Sequence, residues 1–337
     1  MAASLKNATY AIQRGLAQVG SRRNEAGWAG SCDNWKYQTE FFGGHRDYQV
    51  CIYENRGSGF SDAPAKNYQM SDMAKDALEL LGQLGWDNKS VHVVGVSMGG
   101  MIAQELALLA PKTMQSLTLA STHAGGGLPP IRQIPFILTA LSRIALGLES
   151  LSESVPHLLY SRHWLKEMKW PGVTNLEAIK RFHKDRVDGR PPQSITAAMK
   201  QLWGIIRHRV EEERLQGLGE TLQKAGVPSM VVHGSEDALV HIRNSLHVAR
   251  NLKSKLVFFE GRGHALNHED VSGFNSLLLR HFESSSVRQH STSNATSVIA
   301  TTPQGTFTSN SSLRNMLGLG EIELEVVKKC HRSPSYR

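Results

Sequence analysis

The run Ser90–Val96 (SVHVVGV) stops at Gly95-Val96-Ser97-Met98-Gly99-Gly100, and Met101–Ala110 (MIAQELALLA) continues as a strongly helical stretch. A short β-branched run that passes into a helix with no loop between leaves the chain almost no room to turn. Gly95 and Gly99 relieve the crowding where strand and helix backbones meet, and Ser97 is forced onto a sharp, strained turn. The turn lifts the serine hydroxyl clear of the strand and aims the first helical amides at the same point. The amide of Met98 is thereby placed to donate to a developing oxyanion.

The rest of the chain repeats the rhythm. Tyr48–Tyr53, Ser116–Ala120, Ser229–His233 and Lys255–Glu260 are also short, apolar and rich in β-branched residues. Continuous apolar runs, rather than alternating ones, mark strands buried on both faces of a parallel sheet. Ser71–Leu84 reads as a helix capped by Ser71, with Met73, Ala77, Leu80, Leu81 and Leu84 on one face. Strand, helix and strand in this order predict βαβ units and an α/β fold.

A serine nucleophile needs a base, and the base needs an acid to orient it. His264 follows the predicted strand Lys255–Glu260 in Gly261-Arg262-Gly263-His264, where strands give way to loops. Asp237 stands just past Ser229–His233, after the tight turn Gly234-Ser235-Glu236. Glu236 competes with it. The order serine, aspartate, histidine matches one of the known triad architectures. His264 and His268 share an i, i+4 spacing, but Ala-Leu-Asn between them lacks the glutamate of HExxH, so no metal site is expected.

In four blocks the chain resembles the α/β-hydrolase superfamily, in the branch with a helical cap inserted after the sixth strand. Glu54-Asn55-Arg56-Gly57-Ser58-Gly59-Phe60-Ser61 is similar to the family's D-x-R-G-x-G-x-S loop, with Glu54 in place of aspartate. Gly95–Gly100 is similar to its nucleophile elbow, His233–Val240 to its acid turn, and Gly263-His264 with Glu269 to its histidine loop. The resemblance covers about residues 27–284. It implies a mostly parallel sheet flanked by helices, and a cofactor-free serine hydrolase of carboxylic esters or related acyl compounds. Ser97, Asp237 and His264 would form the triad, with the amides of Met98 and Trp28 as the oxyanion hole.

One block departs from the family. Ala26-Gly27-Trp28 keeps the glycine of the oxyanion loop, but alanine stands where histidine is usual, and GSRRNEAG before it is no strand. The missing strand belongs in the middle of the sheet, between Tyr48–Tyr53 and Ser90–Val96. Either Ala8–Val19 takes its place or the chain is a shortened product. The second alternative motivates a competing expectation of a non-catalytic protein on the same fold. The expected organisation is an atypical segment 1–26, a core of 27–123 and 227–284, a helical cap over 124–226, and a disordered Ser/Thr-rich tail over 285–337. Within the cap, Ile134–Gly147 is apolar on most sides, which suits a packed cap helix, a lid over an apolar acyl substrate, or a lipid contact.

Charge and cysteine content narrow the remaining classes. The 38 Lys and Arg against 30 acids are scattered through helical stretches, so no nucleic-acid face is expected. Three widely spaced cysteines without a CxxC propose neither a disulfide framework nor zinc, as in a reducing cytoplasm. Residues 1–24 contain basic residues and no acid, a composition shared with organelle import signals. No apolar run approaches the roughly 18 residues of a membrane span.

Overall fold

The apolar runs assemble because each supplies two buried faces to one sheet. The computed structural model describes residues 17–20, 32–86, 91–126, 135, 139, 151–188, 194–290 and 323–328. Its strands are β1 (Ala17–Gly20), β2 (Gln49–Cys51), β3 (Val91–Val96), β4 (Met114–Ala120), β5 (Met168–Trp170), β6 (Val173–Thr174), β7 (Ser229–Gly234), β8 (Lys255–Phe259) and β9 (Leu324–Val327). Seven of them form one sheet in the order β2-β1-β3-β4-β7-β8-β9. From β3 to β9 every neighbouring pair is parallel.

Alternation along the strands divides the core in two. Leu256 and Phe258 of β8 pack with the helices Met70–Gln83, Met98–Leu109, Glu212–Lys224 and Ile242–Leu252. Val257 and Phe259 face the other way, onto Trp35, Phe42, Phe274 and Phe282. The helix expected from Ser71 begins at Met70 instead. Gln69 is its cap, and the Gln69 amide donates to the Asp72 carboxylate at 3.0 Å. Met73, Ala77 and Leu81 are buried as expected, but Leu84 falls beyond the helix end at Gln83 and is exposed.

Two expected boundaries move. The Val210 amide donates to the Ala124 carbonyl at 2.7 Å, which closes the insertion at its base. Glu212–Lys224, expected in the cap, buries Leu215, Leu218 and Leu222 in the main core, so the excursion ends near 209 rather than at 226. β5 and β6 add a small hairpin to an insertion expected to be helical. The tail expected from 285 is partly ordered as well. A helix runs Val271–His290, and β9 pairs with β8 from Leu256↔Leu324 to Phe259↔Val327. The Lys255 ammonium sits between Glu323 and Glu325, at 3.0 and 2.6 Å, and anchors this edge. The remaining tail residues lie outside those described, as does Ile134–Gly147 apart from 135 and 139. Among the described residues no helix is long and apolar enough to cross a membrane.

The mid-sheet position is filled by β1, which pairs antiparallel with both neighbours: Gln18↔Cys51 on β2 and Gln18↔Val93 on β3. A strand occupies the place where the sequence alone left a choice, and it runs against its neighbours. Proline cannot donate to a ladder and is poorly tolerated between two strands. Gln18→Pro is therefore expected to destabilise the fold by about 1–3 kcal/mol, the cost of a buried ladder group left unpaired, read as a lowered denaturant midpoint. A midpoint equal to the wild type would show that the sheet does not depend on β1.

Candidate active site

Ser97 sits at the end of β3 with φ 57° and ψ −120°, a conformation few non-glycine residues adopt. Its backbone is tied on both sides. The Ser97 amide donates to Ala120 at 2.9 Å, and the Ser97 carbonyl accepts from the Thr122 hydroxyl at 2.7 Å and the Gly100 amide at 3.0 Å. A Cβ on Gly95 would overlap the backbone of Gly99 and come within 2.7 Å of Gly100 Cα, so strand and helix can cross only at a glycine. Gly100 is equally constrained, because a Cβ there would lie 2.6 Å from the Thr122 side chain. Met98 opens the helix with its side chain fully buried.

Asp237 and His264 stand in the loops that follow β7 and β8. Their loops are laced together: the Ser235 amide donates to Phe259 at 3.0 Å and the Glu236 amide to Arg262 at 2.8 Å. The Asp237 carboxylate accepts from His264 Nδ1 at 2.9 and 3.0 Å, and from the amides of Leu239 and Val240 at 2.8 and 2.9 Å. Glu236, one residue earlier, points its side chain into solvent. Burial pushes the Asp237 carboxyl up, but the charge and hydrogen bond of His264, with help from His233 and the Val240 amide, outweigh it and hold the pKa below the ordinary value. A carboxylate can only accept, so Nδ1 carries the proton and Nε2 of a neutral ring is left to act as a base. Both His264 and Asp237 are buried.

The insertion is fastened to the histidine loop. Glu269 Oε1 accepts from the Gly263 amide at 2.9 Å and from the Ser161 amide at 2.8 Å, bridging loop and cap with one oxygen. The Ala265 amide donates to Leu159 at 2.9 Å. His268, which the spacing to His264 had brought forward, serves this junction too. Its Nε2 donates to the Asn34 carbonyl at 2.6 Å, and its Nδ1 meets the Tyr160 hydroxyl at 2.9 Å. Tyr160 and Ser161 lie about a hundred residues from their partners, and the only signal toward the junction was Glu269 in the histidine-loop block.

A second junction involves the Glu54 loop. The Glu54 carboxylate accepts from the Phe60 amide at 2.8 Å, and a Cβ on Gly59 (φ 54°) would land on that carboxylate. Arg56 grips Asp76 through two bonds, at 2.7 and 2.5 Å. Gln201, from the cap helix Ile195–Arg207, donates to the Arg56 carbonyl at 2.9 Å and meets the Ser58 hydroxyl at 2.8 Å. The glycine-rich turn is thus a bracket between core and cap. Ser97, Asp237 and His264 are brought to one edge of the sheet. Trp28 lies outside the described residues.

The family model described as alpha/beta hydrolase fold matches residues 26–271. The protein named "Putative carbamate hydrolase RutD" from Stutzerimonas stutzeri (strain A1501) is 26% identical over 239 residues, 70% of this chain and 82% of that one. A non-heme haloperoxidase from Rhodococcus erythropolis is 26% identical over 275 residues, covering 77% and 90%. Among solved structures, a thermophilic esterase from Thermogutta terrifontis superposes with a TM-score of 0.56 at 22% identity, over 75% of this chain and 86% of the esterase. A meta-cleavage product hydrolase from Pseudomonas fluorescens IP01 gives 0.57 at 19% identity, over 77% and 88%. With the family model spanning most of its length, the chain belongs to the α/β-hydrolase superfamily.

Proposed function

We propose that the protein is a serine hydrolase of carboxylic esters or related acyl compounds. The observation that carries this is the buried Asp237–His264 pair at the strand edge where Ser97 is held with φ 57°. In the proposed reaction Ser97 Oγ attacks the acyl carbonyl carbon while His264 Nε2 takes the hydroxyl proton. The bond to the leaving group then breaks, and His264 returns the proton to it. Water, deprotonated by the same histidine, releases the acid and restores Ser97. The amides of Met98 and Trp28 are the proposed oxyanion donors. Apolar acyl groups are the proposed substrates, on the apolar content of the cap. Ala26, standing where the family's oxyanion block carries histidine, favours a second reading, a hydrolase-fold protein without turnover.

A fluorophosphonate probe separates the two readings. The wild type is expected to label and Ser97→Ala not to label, with ester turnover falling about a millionfold. An unlabelled wild-type protein would establish the second reading. A labelled Ser97→Ala would move the nucleophile elsewhere.

The two neighbouring acids give a sharper test. Asp237→Asn removes the charge facing Nδ1 and favours the wrong tautomer, so turnover should fall on the order of ten-thousandfold. Glu236→Gln, in solvent, should stay within about twofold of the wild type. The opposite ranking would assign the acid to Glu236.

The bridge at Glu269 adds a pH dependence. Burial pushes its carboxyl up from 4.5 to about 7, against the amides of Ser161 and Gly263 and the charge of Arg262, all of which favour ionisation. The folded chain therefore keeps a proton that the unfolded chain has released. The stability tied to that proton is complete below about 4.5 and is lost as the pH rises through about 7. Glu269→Gln retains the accepting oxygen and cannot ionise. Its melting temperature relative to the wild type is expected to climb between those two values, and a flat difference would mean that Glu269 is charged when folded.

A further inference from the structure

We propose that the cap docks on an anionic lipid surface through the outer face of the helix Ile195–Arg207. The inner face of this helix is fixed. Ala197, Gln201 and Gly204 are buried, and a Cβ on Gly204 would lie 2.8 Å from the Met70 side chain and 3.1 Å from the Tyr68 carbonyl. With that face seated, the opposite one must point outward. It carries Ile195, Met199, Trp203 and Ile206, which are 83, 58, 46 and 66% exposed. Their spacing of four, four and three residues makes one continuous stripe. A helix seated on one face that also carries an exposed apolar row on the other is built for a second partner, because single exposed apolar residues are ordinary but an aligned row of four is not.

Charge identifies the partner. The insertion 125–209 holds thirteen Lys and Arg against six acids, while the whole chain has 38 against 30, so the net positive charge is concentrated almost entirely there. The helix itself has no acid; of its two cations, Lys200 donates inward to the Pro64 and Ala65 carbonyls at 2.6 and 2.8 Å, and Arg207 stands at the exposed side. The Arg207 guanidinium lies 5.2 Å over the Trp203 ring, which places a cation and an amphipathic aromatic at the margin of the stripe. The exposed hairpin residues Met168 and Trp170 flank Lys169 in the same insertion. Apolar side chains with basic neighbours and an interfacial tryptophan are the composition of a face that lies in the plane of an anionic membrane. A symmetric pair of chains would bring two basic insertions together, so a second copy is the poorer partner.

Vesicle flotation tests this with the full chain. Phosphatidylcholine vesicles containing phosphatidylserine should retain the protein, pure phosphatidylcholine should retain much less, and added salt should release it. The quadruple variant Ile195→Ser, Met199→Gln, Trp203→Gln, Ile206→Ser should bind about tenfold more weakly or worse while melting at the wild-type temperature. If that variant melts low, Arg207→Glu alone should weaken retention. Equal retention of wild type and both variants, or no preference for the anionic vesicles, would overturn the proposal. So would a wild type that sediments as a dimer and becomes monomeric in the quadruple variant, since the stripe would then bind a second copy. Ser97→Ala should bind vesicles as the wild type does, so this result and the catalytic assignment can fail separately.

Discussion

Gly234 and Gly263 approach so closely that a Cβ on the first would overlap the carbonyls of Arg262 and Gly263. Main chain against main chain, two strand ends are joined before any side chain is considered. The bonds from Ser235 to Phe259 and from Glu236 to Arg262 continue the β7–β8 ladder past the end of the sheet. Asp237 and His264 meet because this lacing leaves them nowhere else to stand. Neighbouring parallel strands sit about 4.8 Å apart, so loops leaving their carboxyl ends side by side converge without help from the cap. The cap then adds its own hold through Glu269, whose single oxygen gathers amides from both sides of the junction.

The parts of this arrangement that were legible in the sequence share one physical property: they are local. β3, β4, β7 and β8 are central, so both faces are buried and the largely apolar runs stand out unaided. The elbow was legible because a strand and a helix without a loop require glycines at fixed positions. Asp237 and Glu236 could not be separated by local pattern with certainty, since both follow the same turn. It is the pair of amides at Leu239 and Val240 that draws the Asp237 carboxylate inward.

What was illegible depends on distant partners or on very short elements. β1 has four residues, too few for periodicity, and its direction is decided by pairing with β2 and β3 rather than by its own composition. β9 reads as a small apolar piece in a polar tail until Lys255 and Arg280 are seen holding Glu325. Tyr160 and His268 meet across 108 positions, and no spacing rule reaches that far. The placement of Glu212–Lys224 in the core rather than the cap follows from where its leucine stripe finds a surface, and the stripe alone does not name that surface.

The turn at Ser97 also bears on how this chain can change over generations. A left-handed backbone at a residue with a Cβ costs on the order of 1–3 kcal/mol, and the Ala120, Thr122 and Gly100 contacts that impose it are made by backbone atoms of residue 97. Glycine would satisfy every one of those contacts with less strain. As far as the architecture is concerned, serine is the inferior choice at that position. A lineage released from any demand on the hydroxyl would drift toward glycine there and grow more robust as it did so. Retention of serine at residue 97 among this chain's descendants would therefore record a pressure that folding does not exert.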